Sequence, residues 1–176
     1  MPHTNPTQLA RERQNALFAR YKKARVLIVE DSAEARGLLR GYMRDLGVEK
    51  LDLASSGQEG IEYMKSHRYD IVLCDYNLGK GKDGQQVLEE ARYGKFLSYN
   101  TVFMMITAET TLEMVMGALE YQPDNYLSKP FTRNDLQSRL NRALSTRIEY
   151  RAIESKFEKQ DYEATLQLCD DKIAAS

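Results

Sequence analysis

The sequence predicts an α/β fold: a doubly wound, parallel five-stranded (βα)5 sheet, flavodoxin-like, with an N-terminal helix and a C-terminal helical extension. Two observations predict it. From residue 25 onward, short apolar runs alternate with longer segments that repeat apolar residues at helical spacing. The short runs are continuously apolar, which is typical of parallel strands buried on both faces. For such a sheet the common strand order is 2-1-3-4-5.

Five segments have strand character. Each is four to seven residues long and rich in Val, Ile, Leu or Met. The predicted strands are 25–30, 50–54, 70–75, 101–107 and 125–128.

The segments between the strands carry apolar stripes at three- and four-residue spacing, which predict the core faces of helices. We interpret the methionines at 104, 105, 114 and 116 as core packing rather than as part of a cofactor site. The stripes are Leu38, Leu39, Tyr42, Met43 and Leu46; Ile61 and Met64; Val87, Leu88 and Ala91; and Met114, Val115, Ala118 and Leu119.

Residues 1–24 carry five bases and one acid. A basic arm could touch nucleic acid, but Leu17, Phe18 and Tyr21 stand at helical spacing. We therefore favour a basic amphipathic lead-in helix that packs on the core.

The C-terminal part predicts two helices. Thr132 is the predicted N-cap of a helix that carries Leu136, Leu140 and Leu144 and continues to about Phe157. A weak turn at 159–161 precedes a second helix. Its apolar residues need a partner, which is the core, a continuation of the chain, or another chain. Those residues are Ala164, Leu166, Leu168 and Ile173.

Length and composition exclude several classes. The 176 residues fit one domain and an appendage, and the net charge of -1 gives no global reason to expect nucleic acid or a membrane. No apolar run approaches the length of a membrane span, and the N-terminus lacks a secretory signal pattern. We expect a cytoplasmic location, with Cys74 and Cys169 as free thiols.

Polar side chains follow four of the predicted strands. Glu30 and Asp31 end the first strand, Asp75 the third, Thr107 the fourth, and Lys129 follows the fifth. The carboxyl ends of parallel strands share one edge, where ligands bind in such sheets. Clustered carboxylates repel one another unless a cation offsets their charge, and oxygen ligands favour Mg²⁺.

A carboxylate beside Mg²⁺, with an ammonium and a hydroxyl aimed at the same point, can attack a phosphoryl group and form an acyl phosphate. Asp75 is the predicted nucleophile because it ends the central strand. Taken singly, Asp31 or Thr107 would be interpreted as a helix cap and Lys129 as a surface charge. The joint arrangement favours the phosphoacceptor hypothesis.

Four segments carry a resemblance to a known family. Over about residues 25–145 the chain resembles the receiver domain of two-component response regulators, of the chemotaxis type. Asp31 and Asp75 are 44 positions apart, and Thr107 and Lys129 are 22 apart, as in that type. The matching segments are 26–32, 71–77, 105–109 and 126–131.

The resemblance implies a role for each matching position. Asp75 would accept the phosphoryl group from a phosphohistidine, while Glu30, Asp31 and the backbone carbonyl of Asn77 would join it in holding Mg²⁺. In the same way, Lys129 would contact the phosphoryl oxygens. Thr107 and Tyr126 would then form the switch that remodels a protein-binding surface.

The implied partners are a cognate sensor histidine kinase or a phosphotransfer protein, and a downstream protein bound through the C-terminal helices. A homodimer is plausible, and direct contact with nucleic acid or a membrane is not expected. The protein would be a signalling phosphoacceptor rather than an enzyme.

An alternative is a Mg²⁺-dependent phosphatase that uses an aspartyl phosphate, although Asn77 stands where such enzymes need a second acid. A DNA-binding regulator is a third hypothesis, which the acidic tail disfavours.

Two features depart from simple receivers. The loop 78–82 is one residue longer than usual and carries two glycines and two lysines, which bears on phosphoryl lifetime and kinase choice. Residues 121–123 replace a segment of small residues.

The C-terminal extension carries a second resemblance. Residues 157–168 resemble part of a tetratricopeptide repeat, so the extension at 146–176 is interpreted as the possible start of an output region.

Overall fold

The computed structural model describes residues 6–108 and 122–174. Within them five parallel strands form one sheet in the order β2-β1-β3-β4-β5, which confirms the predicted fold class. The strands are β1 (Arg25–Val29), β2 (Lys50–Ala54), β3 (Ile71–Asp75), β4 (Val102–Thr107) and β5 (Asn125–Ser128). The described helices are α1 (Pro6–Lys23), α2 (Ala33–Asp45), α3 (Gly57–Ser66), α4 (Gly84–Tyr93), α5 (Arg133–Glu158) and α6 (Tyr162–Ala174).

The register of the central strands aligns their carboxyl ends. Val29 of β1 lies opposite Cys74 of β3, and Asp75 lies opposite Ile106 of β4. The residues that follow β1, β3 and β4 therefore emerge at one edge of the sheet, which is where parallel sheets bind their ligands.

Alternate strand residues point into two separate core layers. Val26 and Ile28 pack with side chains of α1, α2 and α5 on one face of the sheet. Leu27 and Val29 pack with side chains of α3 and α4 on the other. This double cover explains why the central strands are continuously apolar in sequence.

Three packing predictions were wrong in part. Leu38 is 50% exposed, because α2 turns only Leu39, Met43 and their neighbours toward the sheet. Phe18 is 55% exposed, although its ring covers Gly47, whereas Tyr21 is fully buried. β2 is only half-buried along most of its length because it is an edge strand.

The remaining core predictions agree with the structure. Met104 and Met105 are completely buried, and both cysteines are free thiols. The predicted stripe at 114–119, with Met116, and the first residue of the 121–123 segment lie outside the described residues. No helix in the described ranges is both long and apolar enough to cross a membrane.

The C-terminal hairpin forms much as the sequence predicts. Thr132 caps α5 through a reciprocal pair of hydrogen bonds with Asp135, and α5 runs to Glu158. Helix α6 follows after a short turn, and none of its described side chains is buried. Leu166 and Ile173 are 66% and 74% exposed, so the core does not cover them, and the partner expected for them stays a prediction.

Candidate functional site

Three carboxylates converge at the carboxyl edge of the sheet. Glu30 and Asp31 follow β1, and Asp75 ends the neighbouring strand β3. One oxygen from each lies within 4.8 Å of the others. Glu30 and Asp75 are buried, whereas Asp31 is open to solvent.

Lys129, which follows the edge strand β5, completes this cluster. Its Nζ lies 3.0 Å from Asp75 Oδ1 and 3.1 Å from Glu30 Oε2. Its backbone N–H donates to the carbonyl of Thr107 at 2.6 Å, which ties the residue after β5 to the end of β4. The predicted convergence of the acids and Lys129 is therefore present in the structure.

Burial and charge shift the titration of these groups. Burial raises the pKa of Asp75, against the lowering effect of Lys129, and Asp31 raises it further. Burial likewise raises the pKa of Glu30. Burial alone would lower the pKa of Lys129, but its hydrogen bonds to Asp75 and Glu30 outweigh burial and raise it.

Backbone contacts hold the two acids after β1 in place. Arg36 donates from Nη1 to the carbonyls of Glu30, at 2.6 Å, and Asp31, at 3.2 Å. The N–H of Ser32 donates to Glu30 Oε1 at 3.2 Å, and the Ser32 hydroxyl caps α2. The start of α2 thus positions the acidic pair.

The loop after β3 approaches Asp31 closely. Gly79 has a φ of 68°, and a Cβ added there would lie 2.8 Å from Asp31 Oδ2. Glycine suits this backbone conformation, and any larger residue would require the Asp31 carboxylate to move. The sequence indicated a flexible loop but missed this contact, and it missed Arg36 as well. The only sequence signal for either was proximity to a predicted site residue.

The other predicted residues surround the cluster. Thr107 is buried at the end of β4, one position beyond the strand partner of Asp75. Tyr126 is half-buried against the core layer of α3 and α4, and burial raises its pKa with a smaller contribution from Tyr76. Asn77 lies exposed in the loop, where its side-chain oxygen accepts from the N–H of Gly79 at 3.4 Å.

The donor set fits a hard divalent cation. It consists of carboxylate oxygens from two adjacent strand ends, and two of the three carboxylates are buried close together. Lys129 offsets only part of their charge when all three are ionised. Mg²⁺ prefers such oxygen ligands and retains water at its open positions, and the exposure of Asp31 leaves room for that water.

Comparison with known proteins agrees with this geometry. A family model described as the response regulator receiver domain matches residues 26–141. The chain is 31% identical over 121 residues to the chemotaxis protein CheY-3 of Vibrio cholerae, which covers 69% of this chain and 92% of that protein. It is also 31% identical over 116 residues to the transcriptional regulatory protein DltR of Streptococcus agalactiae, covering 66% of this chain and 50% of that protein.

A solved structure gives the same result. The chemotaxis protein CheY4 of Vibrio cholerae superimposes with a TM-score of 0.62 at 27% sequence identity, covering 69% of this chain and 98% of that one. These matches favour a receiver over the phosphatase alternative. A receiver implies a partner that donates the phosphoryl group, either a sensor kinase or a phosphotransfer protein. The chain belongs to the response regulator receiver family of two-component signalling.

Proposed function

We propose that Asp75 accepts a phosphoryl group from a phosphohistidine of a sensor kinase or phosphotransfer protein. The observation that carries this proposal is the placement of Asp75 between opposite charges. Its carboxylate ends a central strand, with Lys129 Nζ at 3.0 Å and Glu30 and Asp31 close by. The buried cluster brings a nucleophile and a cation to one solvent-accessible edge.

The transfer needs an ionised Asp75. One carboxylate oxygen forms a bond to phosphorus while the bond from phosphorus to the donor imidazole nitrogen breaks, and that nitrogen keeps the electron pair. Lys129 favours the ionised form of Asp75 beforehand and stabilises negative charge on the phosphoryl oxygens during transfer. The product is an acyl phosphate on the protein.

The proposed Mg²⁺ ligands are Glu30, Asp31, Asp75 and the backbone carbonyl of Asn77. When bound, Mg²⁺ would neutralise charge on the phosphoryl oxygens. Arg36 and Gly79 act as positioning residues, since the first holds the backbone of the acidic pair and the second leaves room for Asp31.

Thr107 and Tyr126 are the proposed switch. Thr107 is buried beside the site, and Tyr126 lies on the neighbouring strand, half-buried beside Tyr76. A hydrogen bond from Thr107 to a new phosphoryl group would move its side chain and alter the space open to the Tyr126 ring. The population of surface conformations would shift accordingly.

The proposed output is protein binding through the C-terminal helices, and the exposed Leu166 and Ile173 support it. A homodimer formed through the same region fits the same exposure. We further propose that the protein acts in the cytoplasm as a phosphoacceptor, without turnover of a separate substrate and without direct nucleic-acid binding.

Radiolabelled acetyl phosphate with Mg²⁺ tests the acceptor. Asp75→Asn should abolish labelling, while Asp45→Asn, the same change at an acid whose side chain is 60% exposed, should label like the wild type. Label retained on Asp75→Asn would contradict the proposal. Rapid, continuous release of phosphate from a small phosphate ester would instead indicate the phosphatase activity.

A further inference from the structure

A polar cleft lies at the end of the sheet opposite the acidic site. This cleft, of about 1130 Å³, is lined by the residues just before β3, β4 and β5 and by residues of α4, α5 and the turn into α6. It is large enough for an organic ligand. Asp75 lies at the opposite end of β3, roughly 17 Å away for a five-residue strand.

The cleft is cationic although the whole chain is not. Among the described residues its lining carries four basic side chains and two carboxylates, Asp70 and Asp124. The chain as a whole has a net charge of -1. The four basic side chains are Arg68, Arg92, Lys95 and Arg147.

Two of these cations share one carboxylate that is mostly buried. Arg92 Nη2 lies 3.5 Å from Asp124 Oδ2, and Arg147 binds Asp124 Oδ1. Asp124 Oδ2 also accepts from the N–H of Phe103 at 2.6 Å. All three charged side chains are about four-fifths buried, and burial and the charge of Arg147 lower the pKa of Arg92 despite Asp124. The four basic and two acidic side chains among the described lining residues favour an anionic ligand over a cationic one.

Three aromatic side chains, Tyr99, Phe157 and Tyr162, form an aromatic wall of the same cleft. The ring centroids of Tyr99 and Phe157 are 5.8 Å apart, and those of Phe157 and Tyr162 are 6.1 Å apart, both in edge-to-face geometry. Each of the three side chains is about half exposed, which leaves part of the ring surface open to a planar ligand. Tyr99 belongs to the sheet domain, whereas the other two belong to the helical hairpin.

We propose that this cleft binds a nucleotide, with its phosphates against the basic side chains and its base against the aromatic wall. Arginine and lysine bind phosphate through charge-assisted hydrogen bonds, and aromatic rings stack on bases of any sequence. Because the wall and the cations come from both the sheet domain and the hairpin, a bound nucleotide clamps α5 and α6 against the sheet. The cleft thus gives the hairpin an input separate from phosphorylation.

Calorimetric titration of the full chain with ATP and GTP tests this proposal, with EDTA present so that Mg²⁺ cannot recruit the nucleotide to the acidic site. We expect one site per chain and binding that weakens with added NaCl. Lys95→Ala and Arg68→Ala should each weaken binding about tenfold, the effect of one lost charge-assisted hydrogen bond. Both residues lie at the exposed rim, so their loss spares the Asp124 cluster.

Two comparisons identify the ligand class. Lys50→Ala removes an equal charge from an exposed residue outside the cleft and should leave the affinity unchanged. Tyr99→Leu should weaken the binding of ATP but not the binding of inorganic pyrophosphate, which has no base. Absence of nucleotide binding at millimolar concentration, equal weakening by Lys50→Ala, or pyrophosphate binding as tight as that of ATP would each overturn the proposal.

Discussion

Lys129 Nζ and Asp75 Oδ1 lie 3.0 Å apart, and the same ammonium group lies 3.1 Å from Glu30 Oε2. One side chain after β5 therefore bridges the ends of β1 and β3. The ammonium stabilises the ionised acids, but its charge also opposes the approach of a metal ion to the same oxygens.

Replacing Lys129 by alanine should therefore tighten Mg²⁺ binding. At pH 8 we expect a gain in affinity of about tenfold, consistent with removing one nearby charge at the protein surface. Calorimetry with MgCl₂ measures it, with Lys50→Ala as the matched loss of charge far from the site. Weaker Mg²⁺ binding by Lys129→Ala than by the control would contradict the electrostatic account.

Gly79→Ala tests the contact between the loop and Asp31. The new Cβ would lie 2.8 Å from Asp31 Oδ2, so the carboxylate must move and Mg²⁺ affinity should fall several-fold. Gly81→Ala is the control, because Gly81 also has a positive φ, at 104°, but a Cβ there meets nothing within 4 Å. Both variants should lose about 1–2 kcal/mol of stability from backbone strain, and only Gly79→Ala should lose Mg²⁺ affinity. Equal Mg²⁺ affinities for the two variants would show that the contact is unimportant.

Gly84→Ala should destabilise the fold beneath the acceptor. A Cβ there would collide with the backbone oxygen of Asp75 and would lie 2.7 Å from Met105 Sδ. We expect a loss of about 1–3 kcal/mol, as for overpacking in other cores. Urea unfolding measures this loss. Gly37→Ala, at an exposed helical position with open space around it, should instead gain about 0.5–1 kcal/mol. Equal effects at the two glycines would contradict the packing described here.

Tyr21→Phe tests how the N-terminal helix is attached. The Tyr21 hydroxyl donates to Asn141 Oδ1 of α5 at 2.7 Å, and its loss should cost about 1 kcal/mol. Burial raises the pKa of Tyr21, so the fold favours the neutral phenol. This contribution is fully present below the ordinary tyrosine pKa of about 10 and is lost as pH rises further.

Unfolding measured from pH 7 to 11 provides the check. The stability difference between the wild type and Tyr21→Phe should shrink above about pH 10. A difference that stays constant to pH 11 would show that the hydroxyl is not held in its neutral form by burial.

The sequence predicted the sheet and the acidic cluster for one physical reason. Parallel strands buried on both faces are continuously apolar, so Glu30, Asp31 and Asp75 stand out as the first charges after β1 and at the end of β3. Strand order then brings them together. The same periodicity defines the direction of a helix face but not its width, so Leu38 was assigned to the core although it is exposed.

Contacts made by loops and distant segments left no such pattern. The fit of Gly79 against Asp31 depends on the path of a loop. The cationic cleft joins Arg92, Asp124 and Arg147 from three separate segments, each charged in an ordinary way in sequence. Only the folded arrangement shows that they meet.

The central claim is that Asp75 carries the acyl phosphate. Borohydride reduces an aspartyl phosphate to homoserine, so protein treated with acetyl phosphate and Mg²⁺, then reduced and digested, can be mapped by peptide mass spectrometry. Homoserine should replace Asp75 and no other acid of the site. Homoserine at position 31 instead, or none at position 75 in protein that carries label, would contradict the account.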